Sequence, residues 1–531
     1  MSGYILLVAS IILICLGLTK VSSRLGMPVL LAFILLGMLF GSDGIVKIYF
    51  DDYAIAEKIC SFALIFIMFY GGFGTSWKTA KPIVVKSVLL STLGVICTAA
   101  VMGLFCYYVL HIGFLESMLI GSVISSTDAA SVFSILRSKR INLKDNTAPM
   151  LEVESGSNDP CSYMLTIIVL SVMSGSTSGW QLVYMIFAQV IFGVLFGGLT
   201  AVISTFMISK MKNAKDGADT IFVFSMALIS YAGATMIGGN GYLSTYIAGI
   251  ILGNKSYPNK KALVHFFDGI TTLMQILIFF LLGLLSFPSQ LPNIIFPALL
   301  IALFLTFVAR PLSVFAILTP FKCTFEQKLL VSWTGVRGAA SIVFAIMATV
   351  HPAYVSHDVF HIVFFIVLFS ISIQGSLIPL VAKRLNMIDD NSNIMKTFSD
   401  YSEEMPIQFV KIKVFDSHPW INQKVKEITL LPGLLLVLII RGEKRVIPKG
   451  NTTILEGDVM VLSAFSLDDD IEGSLTEMTI EKDSTWLGKS LAEIKLGHEK
   501  LIVVIKRNNQ IVIPNGKTVV KENDVFVISQ L

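Results

Sequence analysis

Residues 154–160 read ESGSNDP, and they stand directly before the apolar run CSYMLTIIVLSVMS at residues 161–174. The chain around this polar heptad has 531 residues, of which 54% are hydrophobic and only 14% are charged. Soluble domains contain about 45–50% apolar residues, so this composition predicts a membrane protein. A cluster of polar side chains at the start of a membrane-length segment therefore requires a functional explanation.

The chain contains thirteen apolar segments that we predict to span a membrane, because a bilayer core of about 30 Å needs roughly 20 helical residues. Lys and Arg gather in alternate loops, which is the pattern of loops that face the cytoplasm. We therefore predict an extracellular N-terminus, a retained first span and a cytoplasmic C-terminus in the cell membrane. The predicted spans lie near residues 4–19, 27–46, 54–73, 83–110, 114–136, 154–175, 180–209, 218–238, 241–254, 264–287, 292–320, 326–350 and 357–382.

The sequence changes character after the last apolar segment. Short β-branched runs alternate with turns, and an internal repeat with a period of 66 residues aligns Trp420 with Trp486. Each copy predicts a short helix, a hairpin of two strands and a last strand. The predicted domains are a transmembrane domain over 1–384, a linker over 385–404, and two cytosolic α+β modules over 405–470 and 471–531.

Several classes of function are disfavoured by the composition. A formal net charge of +4 is too small to indicate nucleic acid as a partner, and the seven histidines are scattered. The six cysteines show no spacing typical of a disulfide framework or a metal site, so we interpret them as reduced packing residues. With no nucleophile and base pair and no phosphate-binding loop, the sequence does not predict an enzyme, and it predicts no bound cofactor.

Four side chains of the heptad share one helical face through i,i+4 spacing, namely Glu154, Ser155, Asn158 and Asp159. An ionised carboxylate within the bilayer is costly, so an acid placed there is a functional candidate. The face combines carboxylate, amide and hydroxyl oxygens, which are ligands for a small cation. The alternative is an ordinary helix start, in which Ser155 or Ser157 caps the helix.

The fifth span is interrupted by Ser-Ser-Thr-Asp at residues 125–128. Such a break predicts a discontinuous helix, because irregular backbone at membrane depth occurs where it lines a cavity. Asp128 would then stand at the start of the second half-helix and balance its positive dipole end. A small-residue packing interface with Asp128 as a simple cap is the alternative.

The twelfth span carries Arg337 between Gly335 and Gly338. A guanidinium buried in the membrane needs a carboxylate, and Glu154 and Asp128 are the candidates. Three further charged residues lie near predicted span ends. We interpret Arg310 as a snorkelling anchor and regard Glu57 and Asp268 as interfacial acids.

The segments ESGSNDP, SSTDAA and GVRGAAS resemble the three signature segments of the NhaP-type branch of the monovalent cation:proton antiporter family. The tail modules resemble the C-terminal subdomain of RCK regulators, also called RCK_C or TrkA-C, in tandem. The resemblance implies an α-helical polytopic homodimer of 13-helix protomers with inverted repeats and two broken crossing helices, as in NhaA/NhaP-like folds. The sequence departs from relatives that carry an acid before the Gly-Gly of the third span, where it has Tyr70.

Carried over to matching positions, the resemblance implies roles for individual residues. Asp159 would be the carboxylate that binds a proton and a monovalent cation in turn. Asn158, Thr127 and Asp128 would organise the ion site, and Ser155 would assist as a ligand. Glu154 and Arg337 would form a structural ion pair.

One carboxylate that serves two cargos gives a physical basis for exchange, because a protonated Asp159 cannot also hold K⁺ or Na⁺. If the empty charged site is too costly to move, the carrier turns over only when loaded, which gives electroneutral one-for-one exchange by alternating access. RCK-type modules usually accompany potassium transport, which favours K⁺ over Na⁺. The alternatives are an Na⁺/H⁺ antiporter and a ligand-gated potassium channel, although the chain has no T-V-G-Y-G-like filter.

The tail modules predict regulation by a small ligand, since related modules bind cyclic dinucleotides such as cyclic di-AMP. Four basic residues near the two predicted hairpins are candidates to meet the phosphates. The alternative for each is a solvated turn. The four residues are Lys444, Arg445, Lys506 and Arg507.

Overall fold

The structure, a computed structural model, divides into two compact units, Met1–Glu403 and Glu404–Leu531. Most of the predicted linker, from residue 390 to 404, lies outside the residues that the structure describes. The described residues are 2–25, 28–139, 141–175, 179–210, 217–255, 260–353, 357–389, 407–415, 418–430, 434–442, 444–465, 474–480, 482, 484–494, 500–507, 510–512 and 514–530.

The first unit is helical. Three π-helical turns, at Leu90–Gly94, Leu305–Ala309 and Ser370–Gly375, join α5 to α6, α14 to α15 and α18 to α19 in the following list. The helices are α1 (Ser2–Leu25), α2 (Val29–Phe40), α3 (Tyr53–Gly74), α4 (Trp77–Ala80), α5 (Val84–Leu89), α6 (Val95–Val109), α7 (Phe114–Val123), α8 (Ala129–Ser138), α9 (Thr147–Met173), α10 (Gly179–Lys210), α11 (Ala218–Met236), α12 (Gly241–Gly253), α13 (Lys260–Leu285), α14 (Leu291–Phe304), α15 (Arg310–Leu318), α16 (Phe325–Trp333), α17 (Ala339–Val350), α18 (Val359–Phe369) and α19 (Ser376–Arg384).

Within the described part of the chain, seven helices are long and apolar enough to cross a membrane. Shorter apolar helices occupy other predicted spans, among them α2, α7, α12 and α17. The chain is therefore a multi-pass helical membrane protein, and the count of thirteen spans stays a prediction. The seven helices are Tyr53–Gly74, Val84–Val109, Gly179–Lys210, Ala218–Met236, Ala262–Leu285, Ile294–Phe321 and Val359–Arg384.

Two segments of non-helical backbone interrupt predicted spans. Residues 124–128 separate α7 from α8, and residues 334–338 separate α16 from α17. The sixth predicted span differs in its start, because α9 begins at Thr147 rather than at residue 154. The polar heptad consequently lies in the interior of a 27-residue helix, and the interpretation of the heptad as a helix start is wrong.

Glycines allow two long helices to approach closely. A Cβ atom on Gly249 of α12 would lie 2.9 Å from the backbone nitrogen of Phe73 in α3, which is closer than real contacts allow. Gly72 faces α12 in the same way, with 3.1 Å between its Cβ position and Ile250 N. Small residues at such interfaces let backbones pack directly against each other in a membrane.

The second unit contains two antiparallel four-stranded sheets of the same topology. The first sheet has the order β1-β4-β2-β3, and the second has the order β5-β8-β6-β7. Each sheet covers its own small hydrophobic cluster, against which Trp420 packs in the first module and Trp486 in the second. The strands are β1 (Ile407–Lys413), β2 (Leu435–Arg441), β3 (Lys444–Val446), β4 (Val459–Phe465), β5 (Ser474–Thr479), β6 (Lys500–Arg507), β7 (Gln510–Val512) and β8 (Val525–Gln530).

The tail modules differ from the sequence prediction in two respects. The predicted short helix is a single 3₁₀ turn in each module, at Val425–Glu427 and Leu491–Glu493. Each sheet also contains a strand, β1 or β5, that precedes the aligned repeat and was not predicted. These strands pair along the full length of β4 and β8, so tertiary pairing rather than local pattern defines them.

Candidate functional site

The polar face of α9 is buried inside the helical unit. Glu154 is 1% exposed, Asn158 is fully buried, and Asp159 is 7% exposed. Ser155 is also buried on this face. Burial removes a carboxylate from water at a large cost, which requires compensating polar partners. The sequence-predicted face is therefore an internal polar site.

The first interrupted segment supplies partners for this face. Ser126 Oγ donates a hydrogen bond to Asp159 Oδ1. Asn158 Nδ2 donates to Thr127 Oγ1 at 2.5 Å, and Ser155 Oγ donates to the backbone oxygen of Thr127 at 2.7 Å. Three hydrogen bonds thus join residues 126–127 to about one turn of α9. One of these bonds reaches the buried carboxylate of Asp159, and the other two hold the residues next to it.

The second interrupted segment crosses the first. The backbone nitrogen of Asp128 donates to the backbone oxygen of Val336 at 2.7 Å. Arg337 Nη1 donates to the carbonyl oxygens of Ser125 and Ser126 at 2.8 and 2.6 Å. Some backbone groups freed by the breaks are therefore satisfied across the crossing, while Arg337 N donates to Ser370 Oγ at 3.0 Å.

Asp128 combines this crossing contact with a local one. Its Oδ2 accepts a hydrogen bond from Ser131 Oγ at 2.5 Å, and its Oδ1 accepts from Ser131 N at 3.4 Å. This is the geometry of a residue that caps the start of α8. The fifth span is therefore interrupted as predicted, and Asp128 at the end of the interruption also caps α8.

The predicted ion pair between Glu154 and Arg337 is wrong. Glu154 Oε1 instead lies 2.5 Å from Nη2 of Arg310, and both side chains are buried. Arg310 is therefore no snorkelling anchor, and Arg337 binds backbone carbonyls in place of a carboxylate. The side chain of Arg310 can lie here because residue 335 is a glycine. A Cβ atom at that position would stand 2.9 Å from Arg310 Nε. Gly335, which stands two residues before Arg337 in the sequence, therefore leaves space for the side chain of Arg310.

Several buried polar atoms at the site have no hydrogen-bond partner among the residues that the structure describes. They include Asn158 Oδ1, Glu154 Oε2 and two nitrogens of Arg337, Nε and Nη2. Asn158 Oδ1 lies on the same residue whose amide nitrogen binds Thr127. Its orientation leaves an amide oxygen, rather than a donor, available beside Asp159.

Asn240 is a site-adjacent residue that the sequence reading missed. Its Nδ2 donates to the backbone oxygen of Pro160 at 2.8 Å, and its Oδ1 caps α12 through Leu243 N. The signal was available, because Asn240 stands directly before Gly241 at a helix start. Its tertiary role depends on the packing of α12 against α9.

The acids assigned to the membrane interface each accept a hydrogen bond from a hydroxyl group. Glu57 is half-buried and accepts a hydrogen bond from Ser61 Oγ at 3.1 Å. Asp268 is exposed, and its Oδ1 accepts from Tyr70 Oη at 3.2 Å. The position at which this chain has Tyr70 thus contacts a carboxylate from α13.

In the tail, Arg507 belongs to an internal ion pair. Its Nε and Nη2 donate to the two carboxylate oxygens of Asp524 at 2.7 Å each, and Nη2 also donates to Val519 O at 2.7 Å. Arg441 makes the equivalent contacts to Asp458 at 2.8 Å. The Nε and Nη2 atoms of Arg507 are therefore committed to the fold, and its contact with a ligand phosphate stays a prediction.

These pairs govern the titration of both aspartates. Burial disfavours the charged form of Asp524, but hydrogen bonds from Arg507 and from Lys521 N outweigh it and lower the pKa of Asp524. The pKa of Asp458 is lowered by the same balance, with Arg441 and Leu455 N as partners.

The other regulatory candidates are only partly described. Lys506 is exposed on β6, and the side chains of Lys444 and Arg445 lie outside the described residues. Among the residues that the structure describes, no group of three or more His, Cys, Asp or Glu side chains could hold a metal ion.

Two family descriptions match the chain. Residues 9–384 match the transmembrane sodium/hydrogen exchanger family, and residues 409–464 and 475–529 each match the TrkA-C domain. The two TrkA-C matches correspond to the two sheets of the tail.

Individual relatives agree with these matches. The chain is 33% identical over 463 residues to the K⁺/H⁺ antiporter NhaP of Alkalimonas amylolytica, covering 86% of this chain and 80% of that protein. It is 31% identical over 451 residues to the K⁺/H⁺ antiporter NhaP2 of Shewanella baltica strain OS223, covering 83% and 77%. It is also 27% identical over 348 residues to Na⁺/H⁺ antiporter 1 of Methanocaldococcus jannaschii, covering 62% and 79%.

A solved structure shares the fold. The sodium proton antiporter MjNhaP1 from Methanocaldococcus jannaschii at pH 8 superposes with a TM-score of 0.64 at 24% identity. The match covers 72% of this chain and 98% of that one. The crossing of two interrupted helices beside a buried carboxylate thus lies within a helical membrane domain of known type, and the chain belongs to the sodium/hydrogen exchanger family, with a tail of two TrkA-C domains.

Proposed function

We propose that the helical unit exchanges a monovalent cation for H⁺ at Asp159, with K⁺ preferred over Na⁺. The observation that carries the proposal is the burial of Asp159 where residues 125–128 and 334–338 cross, with Ser126 as its hydrogen-bond donor. Among the residues that the structure describes, Asp159 forms no salt bridge, in contrast to Glu154, which pairs with Arg310. It is therefore suited to bind an exchangeable positive charge.

The cation would be held by oxygen ligands of the same cluster. Asp159 supplies a carboxylate, and Asn158 supplies the amide oxygen that has no partner among the described residues. The hydrogen bond from Ser155 Oγ to the backbone oxygen of Thr127 holds the first interrupted segment against α9. Asp128 caps the start of α8 through Ser131. Hard monovalent and divalent cations prefer such oxygen ligands over nitrogen or sulfur.

Competition for one carboxylate couples the two fluxes. A proton on Asp159 removes the charge that attracts the cation, and a bound cation occupies the place of the proton. An empty, charged Asp159 is costly to carry past an apolar barrier, so the loaded forms move. The result is electroneutral one-for-one exchange by alternating access, with Asn158 in place of a second titratable acid.

The finer architecture is part of this proposal. We infer thirteen spans with inverted repeats, a homodimer in the cell membrane, an extracellular N-terminus and a cytoplasmic tail. The preference for K⁺ is supported by the names of the relatives at 31–33% identity, which are K⁺/H⁺ antiporters. The relative named as an Na⁺/H⁺ antiporter is 27% identical.

Proton flux in proteoliposomes tests the exchange. A pH-sensitive dye inside the vesicles reports H⁺ movement when K⁺, Na⁺ or Li⁺ is added outside. We expect K⁺ to give the largest response, and Asp159→Asn to abolish it while the purified protein keeps its melting temperature. Asp51→Asn, in an exposed loop, is the matched control and retains full exchange. Full activity of Asp159→Asn would overturn the assignment.

The same vesicles test stoichiometry and the channel alternative. Electroneutral exchange predicts rates that do not change when a K⁺ diffusion potential of either sign is imposed. A potential-dependent rate contradicts one-for-one exchange. Cation currents without proton flux would instead indicate a ligand-gated channel.

We further propose that the TrkA-C domains bind a small regulatory ligand, with cyclic di-AMP as the candidate. Lys506 is the described residue that supports this, because it is exposed on β6 next to Arg507. Calorimetric titration of the full-length protein with cyclic di-AMP, and of Lys506→Gln as a variant, tests it. Absence of heat at millimolar ligand removes the candidate.

A further inference from the structure

A cavity of about 400 Å³ lies in the helical unit between α5, α9, α10 and α12. It is on a different face of α9 from Asp159, since its α9 residues include Val153, Ser157 and Cys161. Its remaining walls include Val88, Val194 and Ile247.

The walls are apolar even where the lining residues carry hydroxyl groups. Ser91 Oγ and Thr92 Oγ1 both donate to Val88 O, at 3.1 and 2.6 Å. Ser157 Oγ donates to Val153 O at 2.5 Å. These hydroxyls bond to their own helices, so they offer few hydrogen bonds to water in the cavity.

An apolar space of this size is unusual inside a protein. Interiors are packed like organic crystals, and voids larger than a water molecule are few. Water is a poor occupant because it needs two to four polar partners. The cavity is therefore suited to an apolar molecule.

The cavity reaches the outer surface of the helical unit. Val88, Val190 and Val194 line it and are each about two-fifths exposed, at 42%, 41% and 43%. Val190 and Val194 belong to α10, which is one of the membrane-length apolar helices. The apolar molecules that meet this surface in a bilayer are lipid chains.

The shape and charge of the cavity fit one lipid chain with an anionic headgroup. Along α12 the lining runs from Leu243 to Ile250, a rise of about 10 Å at 1.5 Å per residue. Trp77 lines one end, and Lys78 and Lys81 beside it are exposed. Trp and Lys are typical of the membrane interface, and basic side chains attract anionic lipid headgroups.

We propose that this cavity binds an acyl chain of an anionic phospholipid, whose headgroup lies beside Lys78 and Lys81. The acyl chain of the lipid would contact two groups of helices. The helix α9 packs chiefly against α5 and α7, whereas α12 packs chiefly against α3, α10 and α11. Alternating access moves groups of helices relative to each other. The lipid would therefore lie at the boundary between α9, which carries Asp159, and the group of helices that includes α12.

Photolabelling of the full-length protein tests the site. A phosphatidylglycerol with a diazirine in its acyl chain is incorporated into nanodiscs with the protein, and labelled peptides are identified by mass spectrometry. We expect labels on the α10 and α12 peptides that contain Val194 and Ile247. Photolabelling measures lipid binding and does not depend on transport. Failure of the lipid proposal can therefore be distinguished from failure of the proposed exchange activity.

Cavity-filling variants make the test specific. Val194→Trp fills the cavity and should reduce labelling of these peptides at least fivefold. Leu195→Trp is the matched control, because it is the next residue on the same helix, is 63% exposed and does not line the cavity. Val190→Trp with Ile191→Trp provides a second pair if Val194→Trp does not fold. Equal labelling of Val194→Trp and the unmodified protein overturns the proposal.

Two further outcomes are decisive. In the unmodified protein, phosphatidylglycerol should label the site several-fold more than the phosphatidylcholine analogue, and the double variant Lys78→Gln/Lys81→Gln should remove that difference. Equal labelling by the two lipids overturns the headgroup assignment. A disulfide cross-link between two protein chains through Val194→Cys would place a second copy of the protein on the cavity and overturn the lipid proposal.

Discussion

Arg310 Nη2 lies 2.5 Å from Glu154 Oε1, and the two side chains are only 3% and 1% exposed. Removing one member of a buried ion pair leaves the other charged and unpaired, which costs about 3–5 kcal/mol. We expect Glu154→Gln and Arg310→Met each to lower the melting temperature of the detergent-solubilised protein strongly. The double variant Glu154→Gln/Arg310→Met should recover much of the loss, because no charge is then left unpaired.

The control for this pair is Glu326→Gln, an exposed acid in the first turn of α16. It should leave the melting temperature unchanged. A Glu154→Gln variant as stable as the unmodified protein, or a double variant that is less stable than both single ones, would contradict the pairing.

Thr127→Val tests the contact between the first interrupted segment and α9. The substitution keeps the shape of the side chain but removes Oγ1, the acceptor for Asn158 Nδ2. A buried donor without its partner costs about 1–3 kcal/mol, so we expect the cation KM of exchange to rise about tenfold. Thr166→Val is the control, since Thr166 is buried on α9 and its hydroxyl donates to Ser162 O of the same helix rather than to the interrupted segment. Equal KM values for the two variants would count against the role of Thr127.

Gly338→Ala tests the crossing of the two interrupted segments. A Cβ atom at residue 338 would overlap the side chain of Asp128, whose Cγ would lie 2.5 Å away. Overpacking of this kind costs about 1–3 kcal/mol and would push the two segments apart. We expect lower thermal stability and a large loss of exchange.

Gly198→Ala is the matched control for Gly338→Ala. Gly198 lies in α10 with nothing within 4 Å of its Cβ position, so the added methyl group meets no neighbour. Alanine also has a higher helix propensity than glycine, by about 1 kcal/mol. The control should therefore be as stable as the unmodified protein or slightly more so, and an active, stable Gly338→Ala variant would refute the steric argument.

The pair of Arg507 and Asp524 predicts how the tail responds to acid. Because the folded pKa of Asp524 is lowered, its stabilising effect is fully present above the usual carboxylate pKa of about 3.9 and is lost as the pH falls through the lowered value. We expect Asp524→Asn to destabilise a fragment of residues 404–531 by about 2 kcal/mol at pH 7, and the difference to shrink below pH 4. Thermal melting followed by the fluorescence of Trp420 and Trp486 measures it.

A surface pair in the same module provides the comparison. Lys482 Nζ lies 3.4 Å from Glu522 Oε1, with side chains 83% and 39% exposed. Exposed ion pairs contribute about 0–1 kcal/mol, so Glu522→Gln should have little effect at any pH. If Glu522→Gln were as destabilising as Asp524→Asn, the buried pair would have no special role.

Much of the candidate site follows from local sequence. The four polar side chains of ESGSNDP share a face because helical spacing places them there, and α9 does so in the structure. The interruption at residues 125–128 follows from consecutive Ser, Ser, Thr and Asp in an apolar run, whereas that at 334–338 was expected only from the family resemblance of GVRGAAS. The tail repeat is visible as a 66-residue period, since Val459 and Val525 begin equivalent strands.

The partner of each buried charge could not be read from the sequence. Glu154 and Arg310 are 156 positions apart, and their contact depends on how α9 packs against α15. Arg337 was the more obvious candidate because it stands among glycines in mid-span. In the structure that guanidinium is satisfied by two carbonyls that the broken helix α7–α8 exposes, which leaves the carboxylate to Arg310.

The sequence by itself thus determined the membrane class, the break at residues 125–128, the polar face of α9 and the tandem tail, because each is a local pattern of polarity, helix propensity or repetition. Only the tertiary structure decided which charges pair, which strand opens each tail sheet and where an apolar cavity lies beside α9. Those features arise from contacts between distant segments, and their free energies depend on distances that local patterns do not contain.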